Sequence, residues 1–180
     1  MQSTQPDDTQ EKIIIPLFEI VVYPNNRTKF RVDQATGDLL MAGINENGAA
    51  YAVGLTVKSG TRPSELTEES LYKTGNLFRI PHLQPADDGY LIAAEVVRRV
   101  KVLSLAEKDG RLCASYEPIP DIPDLEEELQ DRILADIKTT IHEISSRFPG
   151  SEQFTKPLDQ MDSVEQIMGF VMPYLPINLA

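Results

Sequence analysis

The residues with the most chemical reach in this chain are two histidines, one cysteine and a few clustered charges, and their spacing builds no active site. His82 falls in a β-type stretch and His142 in a helical one, with no second His or Cys at metal-ligand spacing. Both read as boundary or surface histidines. Cys113 alternates with apolar neighbours in a strand-like run, which suits a small buried hydrophobe better than a nucleophile. A phosphate cradle needs a glycine-rich turn that ends in Gly-Lys-Ser/Thr. The nearest approach, Lys58-Ser59, follows Val57, and the glycines are misplaced. Asp87-Asp88 and the run Glu126, Glu127, Glu128 are carboxylate clusters. Their positions suit a hairpin turn and a helix N-terminus, where negative charge meets the positive end of the helix dipole. Arg98, Arg99 and Lys101 form a basic cluster without the interleaved aromatics that stack on bases. The sequence therefore assigns no catalytic residue, no metal ligand and no cofactor.

The elements that would carry these residues are legible from periodicity and turn chemistry. Residues 1–11 read as a polar, frayed tail. Ile13 to Tyr23 is β-branched and aromatic and predicts a strand, interrupted by Pro16, which places it at an edge or gives it a bend. Pro24-Asn25-Asn26 is a turn, Phe30 to Val32 a short strand, and residues 33–45 a short helix. Ala50 to Lys58 predicts another strand, and residues 59–70 a polar loop. From Asn76 the pattern is plainly β. Asn76 to Leu83, Tyr90 to Leu105 and Arg111 to Tyr116 are strands, separated by hairpin signals at Asp88-Gly89 and Asp109-Gly110. Short strands joined by such turns predict a small curled, antiparallel, barrel-like domain over residues 12–118.

At Glu117 the composition changes. Three prolines within EPIPDIPD mark a linker near residues 119–123. Leu125, Leu129, Ile133, Ile137, Ile141, Ile144 and Phe148 then recur at steps of four and three, the signature of one long amphipathic helix. Asp124 with Glu127 suits its N-terminal cap, and Pro149-Gly150 stops it. A second helix is expected from Asp162, with Glu165 as capping partner, ending before Pro173. The whole is an α+β chain, a β domain followed by a helical bundle over residues 124–180.

Bulk properties narrow the function. The chain has 17 basic and 28 acidic residues, a net charge of −11, which repels phosphate backbones and anionic membranes. No apolar run approaches a membrane span, and the polar start argues against a secretory signal. One cysteine cannot form an internal disulfide, so a reducing cytoplasm fits best. What remains is surface. A domain that holds unfolded chains needs apolar area open to solvent. Tyr23, Phe30, Met41 and Tyr72 are the apolar residues least consumed by the periodicity, and they are the candidate substrate contacts.

The order of several segments resembles the N-terminal, substrate-recognition domain of the Lon protease family. In IIIPLFEIVVYPNNRTKFRV the matching residues are Pro16, Leu17, Val21, Val22, Tyr23 and Pro24. The stretch from Leu71 to Ile80 is similar to the family's Leu-Tyr, glycine, strand segment. Glu95 to Val102 is similar to the next strand, with Arg99 and Val100 at its Arg-Val step, and the ending MPYLPINLA also fits. The chain departs from the family at Val96, where glycine is common, and after Pro24, where a further proline often follows. The resemblance implies a curled six-stranded β domain followed by helices. It also implies a non-catalytic role in binding unfolded, damaged or tagged proteins, either as the N-terminal domain of a homo-oligomeric, ATP-dependent protease or as a stand-alone relative of that domain. The family's ATPase and serine–lysine peptidase modules lie further along the full chain. Two other readings stand beside this one: a nucleic-acid-binding β domain, against which the charge argues, and a small enzyme using Cys113 or a carboxylate pair.

Overall fold

Runs of Val, Ile, Leu and Tyr alternate through the first two-thirds of the chain and fold into sheet, while the elements described after them are helices. The computed structural model describes residues 11–20, 22–120, 126–147 and 151–171. They fall into two compact units, one within residues 11–120 and one within residues 126–171.

In the first unit, β1 (Lys12–Leu17), β2 (Arg27–Val32), α1 (Gln34–Asn47), β3 (Ala50–Val57), β4 (Leu71–Ala86), β5 (Gly89–Lys108) and β6 (Arg111–Pro118) follow in order. The sheet runs β2-β5-β4-β3-β1-β6, and β5 also pairs with β6. Five strands, β1, β3, β4, β5 and β6, thus close into a small barrel, with β2 added beside the first half of β5. The great length of β5 makes closure possible. Its start pairs with β2 and β4, and its end, from Val100 to Lys108, pairs with β6.

The expectation of antiparallel pairing holds with one exception. β1 lies parallel to β3, Ile14 opposite Val53 and Leu17 opposite Thr56. Parallel neighbours need a crossover, here supplied by β2 and α1. Strands paired this way are covered on both faces and read as continuous apolar runs, as AYAVGLTV does. Ile14, Val53, Leu55 and Val57 fill the barrel interior with Val100 and Tyr116. Ile15, Leu17 and Ala52 face the other way, onto a second core with Phe78, Ile92 and Leu40 of α1. A Cβ at Gly54 would lie 2.3 Å from the Phe78 ring, and one at Gly75 would lie 2.2 Å from the Gly54 carbonyl oxygen. The approach of β3 and β4 therefore requires glycine at both positions.

α1 begins on a side-chain cap and ends on a main-chain one. Asp33 accepts from the Thr36 amide at 2.8 Å and from its hydroxyl at 3.0 Å, an N-cap. Gly48, at φ 74°, terminates the helix with its amide on the Ile44 carbonyl. Tyr90 at the start of β5 lies against Gly37, where a Cβ would sit 1.9 Å from its ring. Its hydroxyl donates to Asp38 Oδ1 at 2.7 Å, which docks the helix on the sheet.

β1 stops at Leu17 rather than continuing to Tyr23. Glu19 takes a left-handed φ of 53°, which turns the chain out of the extended path. β6 reaches β1 only at Lys12 and Ile13, so Pro16 lies where that edge is open. The Asp109-Gly110 turn has both residues at positive φ, 51° and 73°, as a two-residue hairpin requires. The polar loop expected over 59–70 contains two short 3-10 turns, Pro63–Glu65 and Glu68–Ser70.

In the second unit, α2 (Glu127–Ser145), α3 (Glu152–Asp159) and α4 (Val164–Val171) bury Leu158 and Ile167. α3, with Pro157 inside it, was not expected from periodicity. The cap of α4 is displaced by one residue from expectation. The Gln166 amide donates to Ser163 Oγ at 3.2 Å, and Gln166 Oε1 accepts from the Asp162 amide at 2.8 Å. α2 follows Glu126, which makes no side-chain cap bond. The expected cap Asp124, the stop at Pro149-Gly150, Pro173 and residues 1–10 of the tail lie outside the described residues.

Candidate protein-binding surface

Folding disperses the titratable residues rather than gathering them. His82 is exposed on β4 opposite Ala93. His142 meets Asp159 Oδ1 at 2.7 Å and joins α2 to α3, where the Lys138 ammonium also reaches the Asp159 carbonyl. Cys113 is buried on β6, and that burial pushes its thiol above the ordinary range, away from thiolate chemistry. Lys101 of the basic cluster forms an ion pair with Glu117 at 3.2 Å. Asp87 and Asp88 occupy the exposed turn between Ala86 and Gly89. Among the described residues, no three His, Cys, Asp or Glu side chains converge as a metal set.

The four apolar candidates occupy different parts of the β unit. Phe30 on β2 and Met41 on α1 are half-buried and pack on the same core. The Phe30 ring lies 5.5 Å from that of Phe78, tilted by 46°. Tyr23 is half-buried in the segment leading to β2. That segment is tied to the sheet on both sides of it: Asn76 Nδ2 donates to the Val22 carbonyl at 3.3 Å, and the Asn25 amide donates to the Val96 carbonyl at 2.8 Å. Tyr72 is separate, 38% exposed near the start of β4, next to buried Leu71.

Three exposed apolar residues of this unit escaped sequence reasoning: Ile20, Leu39 and Leu103. Leu103 is the most open, at 59%. Val102 faces Tyr116 and Ser104 faces Ser115, so Leu103 is the extra residue of a β-bulge. A bulge re-aims a side chain out of the regular alternation. The signal was present in the sequence, since Val100 and Val102 share one parity whereas Leu103 and Leu105 take the other. Leu39 follows from helix geometry. Leu39, Leu40 and Met41 are consecutive and cannot share one face, and only Leu40 is buried.

Charge on the sheet is organised across strands. Glu95 on β5 pairs with Arg27 on β2 at 3.0 Å and with Arg79 on β4 at 2.8 Å. The hydrogen bond from Arg79 to Glu95, reinforced by the opposite charge, holds the guanidinium above its ordinary value. Such partly exposed pairs fix register more than they stabilise.

The described residues thus form a closed β barrel with a docked helix, and a helical unit, with apolar side chains exposed at scattered points. The comparisons name the family. A family model described as "ATP-dependent protease La (LON) substrate-binding domain" matches residues 12–180, and the chain belongs to this family. The matched domain binds substrates and is not itself catalytic. A Lon protease of Methanosarcina barkeri is 53% identical over 180 residues, which is 100% of this chain and 22% of that protein. A Lon protease of Clostridium beijerinckii is 24% identical over 165 residues, 92% of this chain and 20% of that protein. The chain thus spans about a fifth of the length of the curated relatives it matches. Among solved structures, the N-terminal domain of a Mycobacterium avium complex Lon protease superposes with a TM-score of 0.66 at 12% identity, covering 94% of this chain and 85% of that one. A Lon N-terminal domain protein from Xanthomonas campestris gives 0.53 at 18% identity, covering 93% of this chain and 99% of that one. At these identities the two structures support the fold alone. No helix among the described residues is long and apolar enough to cross a membrane.

Proposed function

We propose that this chain recognises and holds unfolded, damaged or tagged proteins on behalf of an ATP-dependent Lon protease, in cytoplasmic protein quality control. The match of residues 12–180 to the family's substrate-binding domain carries the reading. The contacts are apolar, made by Tyr72, Leu39 and Leu103 on the open surface and by the rims of Tyr23, Phe30 and Met41. Aromatic and Met side chains suit partners of varied sequence, since they bring area and polarizability without demanding one geometry. Each contact is weak, and a homo-oligomeric assembly of the full-length protein multiplies it. No cofactor takes part, and neither nucleic acid nor membrane is a partner. The test is binding of a chemically unfolded reporter protein to the 180-residue chain, with the folded reporter as control. Preference for the unfolded form that falls in Tyr72→Ser, Met41→Ser or Tyr23→Ser variants of unchanged fold supports the proposal. Equal binding of both forms contradicts it.

A further inference from the structure

Among the described strands, β2 alone is bonded on a single side. The phase of its ladder decides which backbone groups face outward. The Val96 amide donates to the Asn26 carbonyl, and its carbonyl accepts from the Asn25 amide, both at 2.8 Å. In antiparallel sheet the bonded side alternates residue by residue. Ala94, Ile92 and Tyr90 therefore bond Thr28, Phe30 and Val32, their register partners. The amides and carbonyls of Arg27, Lys29 and Arg31 point away from the sheet. Their side chains are also the exposed ones of this strand, whereas Thr28, Phe30 and Val32 are half-buried. Arg27 shares Glu95 with Arg79, and Lys29 and Arg31 make no hydrogen bond or ion pair with any described residue.

An edge with no described strand beside it and bearing three cations, in a chain of net charge −11, is selective about what can pair with it. A second copy of β2 would set cation against cation, which is destabilising across strands. A strand with carboxylates at alternate positions would instead set opposite charges face to face. Its intervening residues would fall on the face of Phe30 and Val32, which pack with Met41 on the core under α1. We infer that the outer edge of β2 accepts, as an added strand, an extended segment of a protein substrate in which acidic and apolar residues alternate. Main-chain bonds supply affinity that tolerates many sequences, and the alternation supplies selection. The inference rests on the proposed function, since it names the kind of segment held.

The probe is a labelled peptide of about eight residues alternating Glu and Val, long enough to cover a strand of this size, with fluorescence anisotropy as the readout on the 180-residue chain. Binding is expected to weaken as salt rises. The charge-reversed variant Lys29→Glu/Arg31→Glu should bind about tenfold more weakly, and should bind a Lys–Val peptide instead. N-methylation of one alternate set of peptide amides should abolish binding, and methylation of the other set should leave it intact. Loss with the Glu set means antiparallel addition, and loss with the Val set means parallel addition. Indifference to which set is methylated, or binding unchanged by charge reversal, overturns the inference. So does a single-stranded oligonucleotide that binds this edge more tightly than the peptide. The unfolded reporter measured on the same proteins separates the two readings. If the reporter binds and the peptide does not, only the β2 edge is wrong; if the reporter also fails, the proposed function is wrong.

Discussion

The β unit and the helical unit bury their apolar residues to very different degrees. Phe78, Leu55, Leu77, Ile80, Ile92 and Val100 are sealed within two cores of the first. In the second, Leu158 and Ile167 are sealed, and α2 has no buried side chain despite its regular apolar stripe. Leu129 and Ile144 on that stripe are 36% and 53% exposed. Periodicity thus reports which face of a helix is apolar, not how much of that face is covered. Sheet residues with partners on both faces are committed to the fold, and partly covered residues remain available for contact.

Substitutions can break or sharpen that contrast. Phe78→Ala opens a void where both Gly54 and Phe30 lean on the ring, and should cost about 3–5 kcal/mol in denaturant unfolding. Leu158→Ala in the helical unit should cost about 2 kcal/mol, the low end for such a change, because fewer sealed neighbours lose contact. If it costs as much as Phe78→Ala, the contrast between the units fails.

Asp33→Ala removes the cap of α1 and should cost about 1 kcal/mol at neutral pH. Burial opposes ionisation of Asp33, but the hydrogen bonds from Thr36 outweigh it and hold the carboxyl below its ordinary value. The folded form therefore binds the proton less readily than the unfolded form. The stabilisation is complete above the ordinary carboxylate value of about 3.9 and is lost as pH falls through the lower folded value. Melting curves of the two proteins should accordingly converge in acid. Smallest of all, Tyr72→Ser and Leu103→Ser should shift stability by no more than about 0.5 kcal/mol, as surface changes do. A larger loss would place these side chains in the fold rather than on its surface.

Local chemistry was the legible part of this fold. Asp109-Gly110 turns the chain where the sequence places a hairpin, because a tight turn is decided within a few residues. The parallel pairing of β1 with β3 was not legible, since the two strands are joined through β2 and α1 and nothing near either one records its partner. α3 was missed because Pro157 masks a short helix, and the α4 cap moved because Asp162 and Ser163 are both good caps one residue apart. On the candidate surface, Tyr72 could be singled out from sequence, whereas Leu103 depends on a bulge whose mark is a single change of parity.

The central claim is that open apolar side chains of the β unit hold unfolded protein. The most direct measurement is the affinity of an unfolded reporter for the wild-type chain and for the Tyr72→Ser/Leu103→Ser variant, at matched melting temperature. The account predicts binding that weakens about tenfold in the variant, as expected when two contact residues are lost. Identical affinity in the two proteins, or no preference for the unfolded reporter, would contradict it.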